Sequence, residues 1–360
     1  MTTTLTRPSE PTPPPPEPVL PQVFRPLPRW VPAALFVASL GVAALVLAAL
    51  SFSVIGLVVL TLLVFALSST LVSRRVEGRR RATDRLVTTI VSSAFLLAMV
   101  PLVSVLYTVL QEGRERLDVT FFTESMRGVV GEGGGGQHAI IGTLIITGLA
   151  TVISVPIGLL TAIYLVEYGR GRLARSVTFL VDVMTGIPSI VAGLFAYALF
   201  ELIVGPGVRF GIGGAVALSV LMIPVVVRAT EEMLKLISAE LREASYALGV
   251  PKWRTILKVV LPAAAAGIAT GITIAIARVI GETAPLLLIV GITAGVNLNP
   301  FDERMATLPV YAFYQFTQPG SRLFGIDRAW TAALVLMLIV LVLNLVARLV
   351  SRLFAPKGAR

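Results

Sequence analysis

Apolar stretches long enough to cross a lipid bilayer recur along this chain, and they restrict its fold more than any other feature of the sequence. About 20 apolar residues in an α-helix span the hydrocarbon core. Such stretches lie at 31–51, 54–72, 86–110, 139–165, 177–203, 212–229, 263–284 and 329–350. Because backbone groups exposed to lipid must be satisfied internally, we expect each stretch to be a helix. The sequence predicts an all-α polytopic membrane protein with about eight transmembrane helices.

The composition supports the membrane interpretation and argues against a nucleic-acid-binding protein. Hydrophobic residues make up 56% of the 360 residues and charged residues 14%. The mean hydropathy of +0.88 exceeds what the core of a soluble domain needs. The 30 Lys and Arg outnumber the 20 Asp and Glu, but no basic cluster is interleaved with aromatic residues that would stack on bases. We therefore expect the basic residues to lie beside membrane lipid and not on nucleic acid.

The distribution of basic residues predicts the orientation in the membrane. Lys and Arg are enriched in loops on the cytoplasmic side of membrane proteins. With eight spans, the loops fall into two sets, and the set that includes both termini has 22 Lys and Arg whereas the other has 7. We expect a multi-pass protein of the plasma membrane with both termini in the cytoplasm.

The two ends of the chain differ in composition from the apolar middle. Residues 1–30 contain ten prolines and lack the apolar core and cleavage site of a signal peptide. We expect a disordered, proline-rich cytoplasmic tail, which is either a spacer or a ligand for a proline-binding partner. A transmembrane hairpin at 31–72 follows this tail. A short cytoplasmic tail at 351–360 ends the chain.

The sequence lacks the groups that catalysis or metal binding would need. It has no cysteine, and its single histidine, His138, has no second histidine to share a metal with. The glycine run at 131–136 is not followed by Lys-Ser or Lys-Thr, so it does not form a phosphate-binding loop. We interpret this run as a flexible outer loop. We expect no catalytic site, metal site or cofactor in this chain.

A charged, two-part segment interrupts the apolar sequence at 231–262. We expect a helix from about Glu231 to Leu248, a turn at Gly249, and a second helix that has Pro251 in its first position. Small residues near the end of the first helix would let another surface approach the backbone closely. Charge and amphipathicity leave two interpretations open: a loop that touches lipid alone, or a docking element for another protein.

The spacing in this segment resembles the EAA loop of ATP-binding-cassette importer permeases. That loop has Glu-Ala-Ala, three residues, Gly, nine residues and Ile-x-Leu-Pro. The matching residues here are Glu243, Ala244, Ser245, Gly249, Val259, Leu261 and Pro262. Ser and Val replace Ala and Ile, both conservatively. The resemblance implies that the helix before the glycine couples this chain to a separate, dimeric ATP-binding subunit, which binds ATP and Mg²⁺.

Longer stretches are similar to the PstA-type permease subunits of bacterial phosphate importers. They include "DVMTGIPSIVAGLF" and "ARVIGETAPLLLIVG", and the likeness covers about residues 138–350. It implies a type I importer permease core, preceded by the additional span at 86–110, with the hairpin and the proline-rich tail as additions. It also implies three partners: a homologous second permease subunit, the dimeric ATPase and an extracytoplasmic phosphate-binding protein.

Three residues within the predicted spans are candidates for the transport pathway. Arg278 and Glu282 lie four apart in the span at 263–284, so on a helix they share a face. An ion pair between the two side chains, or an arginine that reaches toward the membrane surface, would explain these residues without a transport role. Charged residues in a span normally face protein or water, and the resemblance associates this pair with transport. Ser189 follows Pro188, which predicts a kink that either lines the pathway or serves packing.

The function implied is import of inorganic phosphate, driven by a separate ATP-hydrolysing subunit. The identity of the substrate depends on the resemblance alone. A permease of the same architecture for another solute, above all another oxyanion, stays open. An ATP-independent channel or a membrane enzyme is the competing class, and the docking motif disfavours it.

Overall fold

The computed structural model describes residues 27–28, 30–50, 53–318 and 322–354, and all regular structure within them is helical. The α-helices are α1 (Val31–Leu50), α2 (Val54–Val76), α3 (Arg79–Gly113), α4 (Val119–Thr123), α5 (Gln137–Ile163), α6 (Gly171–Thr185), α7 (Ser189–Val204), α8 (Gly211–Lys235), α9 (Ala239–Ala247), α10 (Lys252–Thr255), α11 (Leu261–Val279), α12 (Ala284–Ile289), α13 (Leu308–Thr317) and α14 (Arg322–Phe354). A π-helical turn at Tyr164–Tyr168 extends α5, and another at Ile256–Val260 joins α10 to α11. The predicted all-α fold class is confirmed.

The membrane-spanning helices agree with most of the predicted stretches. Among the described residues, seven helices are long and apolar enough to cross a membrane, and a bent pair raises the number to eight if it counts as one span. Seven of the eight predicted stretches fall on the seven helices. Pro101, Pro156 and Pro224 lie inside three of them, which membrane helices tolerate because neighbouring groups satisfy the freed carbonyls.

The stretch at 177–203 is not the single kinked helix that the sequence predicts. It forms α6 and α7, which meet at an angle of 108°. Pro188 has no N–H to donate to the carbonyl of Met184, and Gly186 takes the C-cap position of α6. The expected kink is therefore a complete break between two helices.

The two predicted tails lie largely outside the described residues. Residues 1–26 of the proline-rich segment and residues 355–360 at the other end are not among them. α14 continues to Phe354. The first residues of the tail predicted at 351–360 are therefore helical.

The chain divides into two compact units, residues 1–104 and 105–360. In the first unit, α1 and α2 form the predicted hairpin, and Phe36 meets Phe65 edge to face with ring centroids 5.6 Å apart. Many of the large apolar side chains of this unit are exposed. Such a surface suits helices that contact lipid.

Glu77 joins three parts of the first unit at the turn between α2 and α3. Its carboxylate accepts hydrogen bonds from Arg85 (2.6 and 2.9 Å), from the Ser73 hydroxyl (2.7 Å) and from the backbone N–H of Leu27 (2.7 Å). Chiefly because of the bond from Arg85, the pKa of Glu77 falls from 4.5 to about 2. The stability that these bonds contribute is therefore complete above pH about 4.5 and is lost as the pH falls toward 2.

Small residues bring the central helices of the second unit together. A Cβ added to Gly158 of α5 would lie 2.7 Å from the Val226 side chain of α8, and one added to Gly271 of α11 would lie 2.6 Å from Ala229. Between membrane helices, close approach of this kind supplies dispersion contacts, which replace the hydrophobic effect as the source of association. The buried core near these crossings includes Ile146, Ala150, Leu218, Met222, Val226 and Ala275.

The glycine run at 131–136 is held in place, so the prediction of a flexible outer loop is wrong. Arg328 of α14 is buried and donates hydrogen bonds of 2.9 Å to the carbonyls of Gly131 and Gly133. Arg116 donates a bond of 3.1 Å to a third carbonyl of the run. Three residues of the run have positive φ, which favours glycine. The glycines allow the backbone conformation that these hydrogen bonds hold in place.

Candidate functional site

The turn after α9 has the geometry that the docking motif predicts. Gly249 has a φ of +73°. Its N–H donates to the carbonyl of Tyr246 (2.9 Å), and the N–H of Val250 donates to the carbonyl of Ser245 (3.2 Å). These are the two bonds of a Schellman motif, which ends a helix and reverses the chain. Pro251 is the N-cap of α10 rather than its first residue, one position away from the prediction.

The segment before this turn is two helices, so the single helix predicted for 231–248 is wrong. A break of three residues separates α8 from α9. The guanidinium of Arg242 explains the break, because it binds the carbonyls of Leu234 (2.9 Å) and Ile237 (2.6 Å). A continuous helix would use these carbonyls within its own backbone. The side chain thus stabilises the end of one helix from within the next.

Arg242 also forms a buried ion pair that sequence reasoning missed. Its Nε and Nη2 atoms lie 3.0 and 2.9 Å from Oε1 of Glu167, and the two side chains are 17% and 5% exposed. Glu167 lies in the π-helical turn that extends α5. One guanidinium therefore joins α5, the end of α8 and α9. An arginine directly before Glu243 was visible in the sequence, but its partner is 75 residues away.

Further contacts fasten the second half of the coupling segment (231–262). Lys252 donates a hydrogen bond to a backbone carbonyl of the π-helical turn that extends α5. The hydroxyls of Ser245 and Thr255 are buried and 2.8 Å apart, so the serine of the motif gains a partner that alanine would lack. Leu261 is half-buried and Pro262 is exposed at the start of α11, directly after the π-helical turn.

The exposed face of the coupling segment carries the remaining motif residues. Glu243 and Ala244 are exposed. Large apolar side chains lie close to them in the sequence, since Leu248 is 84% exposed and Trp253 is 55% exposed. Exposed apolar groups beside a small residue and a charge are typical of a protein interface, in which tryptophan is enriched among the residues that contribute most to binding.

Arg278 and Glu282 do not share a helical face, so the prediction made from their spacing is wrong. α11 ends at Val279, and α12 carries Pro285 in its first turn. Proline has no N–H to donate to the carbonyl of Gly281, which disfavours a helix that continues through Glu282. Arg278 is exposed in the last turn of α11, and Glu282 is half-buried beyond it. No ion pair joins them within the described residues.

Ser189 begins α7, which packs along α12. A Cβ added to Gly193 would lie 2.5 Å from Cα of Pro285, and toward their other ends both helices contact Gly213 of α8. The two short helices therefore run in the same direction. Ser189, which is half-buried, and Glu282 consequently lie at the same end of this pair.

A chain of charges ties α6 to the end of α8 that leads into the coupling segment. Asp182 of α6 forms an ion pair with Arg228 of α8. Arg228 also lies 2.7 Å from Glu231, which in turn lies 2.7 Å from Lys235. These alternating charges satisfy one another. They stabilise the packing of α6 on α8 close to the docking surface.

His138 is buried, and neither ring nitrogen has a hydrogen-bond partner among the described residues. Its ring packs edge to face on Tyr311 with centroids 5.1 Å apart. In the part of the chain that the structure describes, no group of three His, Asp or Glu is placed to hold a metal ion. His138 acts as a packed ring at the start of α5.

These features form a bundle of membrane helices with the partly exposed coupling segment (231–262) at one end and charged residues inside its spans. The family described as "Binding-protein-dependent transport system inner membrane component" matches residues 154–359. The chain belongs to this permease family. The membership accounts for the lack of a phosphate-binding loop, because in ATP-binding-cassette importers ATP hydrolysis takes place in a separate subunit.

Two relatives identify the type of permease to which this chain belongs. The phosphate transport system permease protein PstA 1 of Mycobacterium tuberculosis is 47% identical over 75% of this chain and 89% of its own length. The phosphate transport system permease protein PstA of Yersinia pestis is 38% identical over 74% of this chain and 89% of its own. The permease is therefore of the PstA type.

A solved structure supports the fold of the permease. A chain from the crystal structure of a bacterial alginate ABC transporter, in complex with alginate pentasaccharide-bound periplasmic protein, matches with a TM-score of 0.55. The match covers 77% of this chain and 97% of the other, at 16% identity. At that identity the likeness concerns the fold alone. The predicted importer-permease core is confirmed.

Proposed function

We propose that this permease moves inorganic phosphate into the cytoplasm as a transmembrane subunit of an ATP-driven importer. The observation that carries the proposal is its 47% identity, over 75% of the chain, to a protein named as a phosphate transport permease. Two physical features support it: an exposed surface suited to a motor subunit, and an arginine within a span that has no ion-pair partner in the described chain.

The coupling segment docks into a dimeric ATP-binding subunit, which binds ATP and Mg²⁺. Leu248 and Trp253 supply apolar anchors for the interface, Ala244 allows close approach of the partner, and Glu243 orients the contact by its charge. When the two ATP-binding subunits close, they displace the segment. The buried contact between Arg242 and the end of α5 carries that displacement into the membrane helices.

Arg278 provides transient attraction for the anion within the membrane. A charged residue in a membrane helix is costly without compensation, and a passing oxyanion offsets that cost. Glu282 lies three residues beyond the end of α11 and weakens the hold on the anion, so that it can leave again. Ser189 contributes a hydroxyl at the start of α7. Glu282 lies near that same end of the helix. A homologous second permease closes the pathway over the exposed face of α11.

The orientation follows from the position of the coupling segment. Because a soluble ATPase acts in the cytoplasm, this segment and both termini lie on the cytoplasmic side of a bacterial plasma membrane, as the distribution of basic loops also predicts. An extracytoplasmic phosphate-binding protein delivers the substrate to the opposite face. The first-unit hairpin contacts lipid.

Reconstitution of the chain with its second permease and ATPase in liposomes tests the proposal. Phosphate presented by the binding protein should stimulate ATP hydrolysis and enter the vesicles. Arg278→Ala should lower uptake by about tenfold or more, equal to about 1.4 kcal/mol, while assembly and basal ATP hydrolysis persist. Arg278→Lys should restore uptake only in part, because lysine lacks the bidentate fork.

Arg172→Ala is the matched control, since Arg172 is exposed and lies outside the predicted pathway. It should leave uptake unchanged. Normal uptake by an assembled Arg278→Ala complex would remove Arg278 from the pathway. Import of a different oxyanion, with no response to phosphate, would make the chain a permease of the same architecture for another solute.

A further inference from the structure

A second group of cationic side chains lies on the face of the core opposite to the coupling segment. Arg209 directly precedes the N-cap of α8, whose other end leads into that segment, and Arg304 lies in the loop between α12 and α13. Both line a cavity of about 470 Å³. The other lining residues are Gly207, Ile292, Thr293 and Glu303.

The two arginines converge on one glycine without a counter-charge between them. A Cβ added to Gly291 would lie 3.3 Å from Cδ of Arg209 and 3.4 Å from Cδ of Arg304. Within the described part of the chain, neither guanidinium forms an ion pair, and Glu303 lies beyond ion-pair distance of both. Two like charges that line one cavity repel. An anion bound between them would turn that repulsion into attraction.

Backbone contacts fix the loop that carries Arg304. The N–H of Ile212, in the first turn of α8, donates to the carbonyl of Pro300 (2.7 Å). The side-chain amide of Asn297 donates to the carbonyls of Asp302 (2.8 Å) and Arg304 (3.2 Å). The backbone that positions the arginine is thus ordered before any ligand arrives. Such preorganisation lowers the entropy lost on binding.

The same loop contains a strained residue. Glu303 has a φ of +57° and is the one residue other than glycine with a positive φ in the described ranges. Conformations of this kind persist where the surrounding structure imposes them, and they cluster at binding sites. The turn that forces Glu303 into this conformation places the next residue, Arg304, beside Gly291.

We propose that this cavity binds a tetrahedral oxyanion, with free inorganic phosphate as its occupant. Arg209 and Arg304 bind the anion with charge-assisted hydrogen bonds, for which the planar guanidinium is suited, and the Thr293 hydroxyl is a further donor. Glu303 moderates the positive potential, so the anion is released again. The choice of phosphate depends on the proposed function, whereas the presence of an anion site does not.

The position of the cavity gives it a role before the membrane step. α12 leads from Glu282 to Gly291, so the cavity lies at one end of this short helix and the Arg278 region at the other. An anion that arrives from outside therefore meets the Arg209–Arg304 pair first. The pair raises the local concentration of phosphate at the entrance.

Protection from arginine modification tests the site in the assembled complex. The complex is placed in nanodiscs of zwitterionic lipid, treated with phenylglyoxal and analysed by mass spectrometry. Inorganic phosphate at constant ionic strength should slow the modification of Arg209 and Arg304 several-fold. Arg114, which is exposed at the end of α3, should react at the same rate with and without phosphate.

Transport kinetics supply the second measurement. Arg209→Gln combined with Arg304→Gln should raise the apparent KM for phosphate several-fold and leave the maximal rate and the affinity for the binding protein nearly unchanged. Replacement of both by lysine should restore part of the lost affinity. A structural defect would instead lower the maximal rate or the yield of complex.

Three outcomes would overturn the inference. The first is modification of both arginines at an unchanged rate in phosphate. The second is protection by anionic lipid in phosphate-free nanodiscs, which would assign the cavity to a lipid headgroup. The third is loss of binding-protein affinity in the double variant without phosphate protection, which would make the arginines a docking contact. Protection by phosphate in a complex that imports none would instead support the site and contradict the proposed function.

Discussion

At the scale of single residues, the coupling segment depends on Arg242 more than on the motif residues around it. Its guanidinium binds the Glu167 carboxylate, the carbonyl of Leu234 near the end of α8 and the carbonyl of Ile237 just after it. Removing one partner of a buried ion pair leaves an uncompensated charge, which costs about 3–5 kcal/mol. Loss of the arginine also removes its hydrogen bonds to these carbonyls, whereas loss of the carboxylate leaves those bonds in place.

This difference predicts an order of effects. Arg242→Gln should lower uptake and thermal stability of the complex more than Glu167→Gln does, because only the first change also removes the guanidinium hydrogen bonds to the carbonyls of Leu234 and Ile237. Uptake in liposomes and the melting temperature of the purified complex measure both effects. Arg172→Gln is the control for removal of an exposed arginine. Equal losses in the two variants would show that the carbonyl bonds contribute nothing.

The sequence allows some of these residues to be predicted and not others. The spacing of the motif correctly predicts the turn at Gly249, because the glycine requirement is local. The partner of Arg242 lies in a distant helix, and no local pattern identifies it. The relation between Arg278 and Glu282 was predicted wrongly although Pro285 was visible in the sequence. Pro285 lies three residues after Glu282 and removes a helical hydrogen bond, which favours a helix end in this region.

At the scale of helices, the packing of α7 on α12 leaves no room for a side chain at Gly193. A Cβ there would lie 2.5 Å from Cα of Pro285, a backbone atom that cannot move aside by itself. Pro285 follows Glu282 closely in the sequence. Any separation of the two helices therefore shifts the residues proposed to line the pathway.

Gly193→Ala should destabilise the permease by about 1–3 kcal/mol through overpacking and should reduce uptake. Gly148→Ala is the matched control, because Gly148 is also helical and a Cβ there would meet nothing within 4 Å. Thermal unfolding and uptake of the two variants provide the comparison. A Gly193→Ala protein as stable and active as the control would show that α7 and α12 separate without consequence.

The existence of most helices was predictable, whereas their breaks were not. Length and apolarity identify a span, because the thickness of the bilayer sets the requirement. Whether a proline kinks a helix or ends it depends on neighbouring groups. Pro224 lies within the unbroken α8, while the break at Pro188 places α6 and α7 at 108°. These outcomes depend on tertiary contacts that one sequence does not display.

At the scale of the whole molecule, the absence of cysteine from the sequence makes the orientation directly testable. Single cysteines at Glu240 and Arg172 should react with a membrane-impermeant maleimide only after the cells are opened. Cysteines at Val130 and Leu298, which are 99% and 70% exposed, should react in intact cells. Labelling at Glu240 from outside would contradict both the topology and the docking of a cytoplasmic ATPase.

The buried Arg328 has a consequence for how the protein is made. It lies near the start of α14, which the predicted topology places on the outer side, so this charged residue must be translocated across the membrane during biogenesis. Its acceptors, the carbonyls of Gly131 and Gly133 and the side chain of Gln315, precede it in the chain. The hydrogen-bond acceptors are therefore synthesised before the arginine that donates to them. The bonds of Arg328 therefore join α14 to a loop synthesised almost 200 residues earlier.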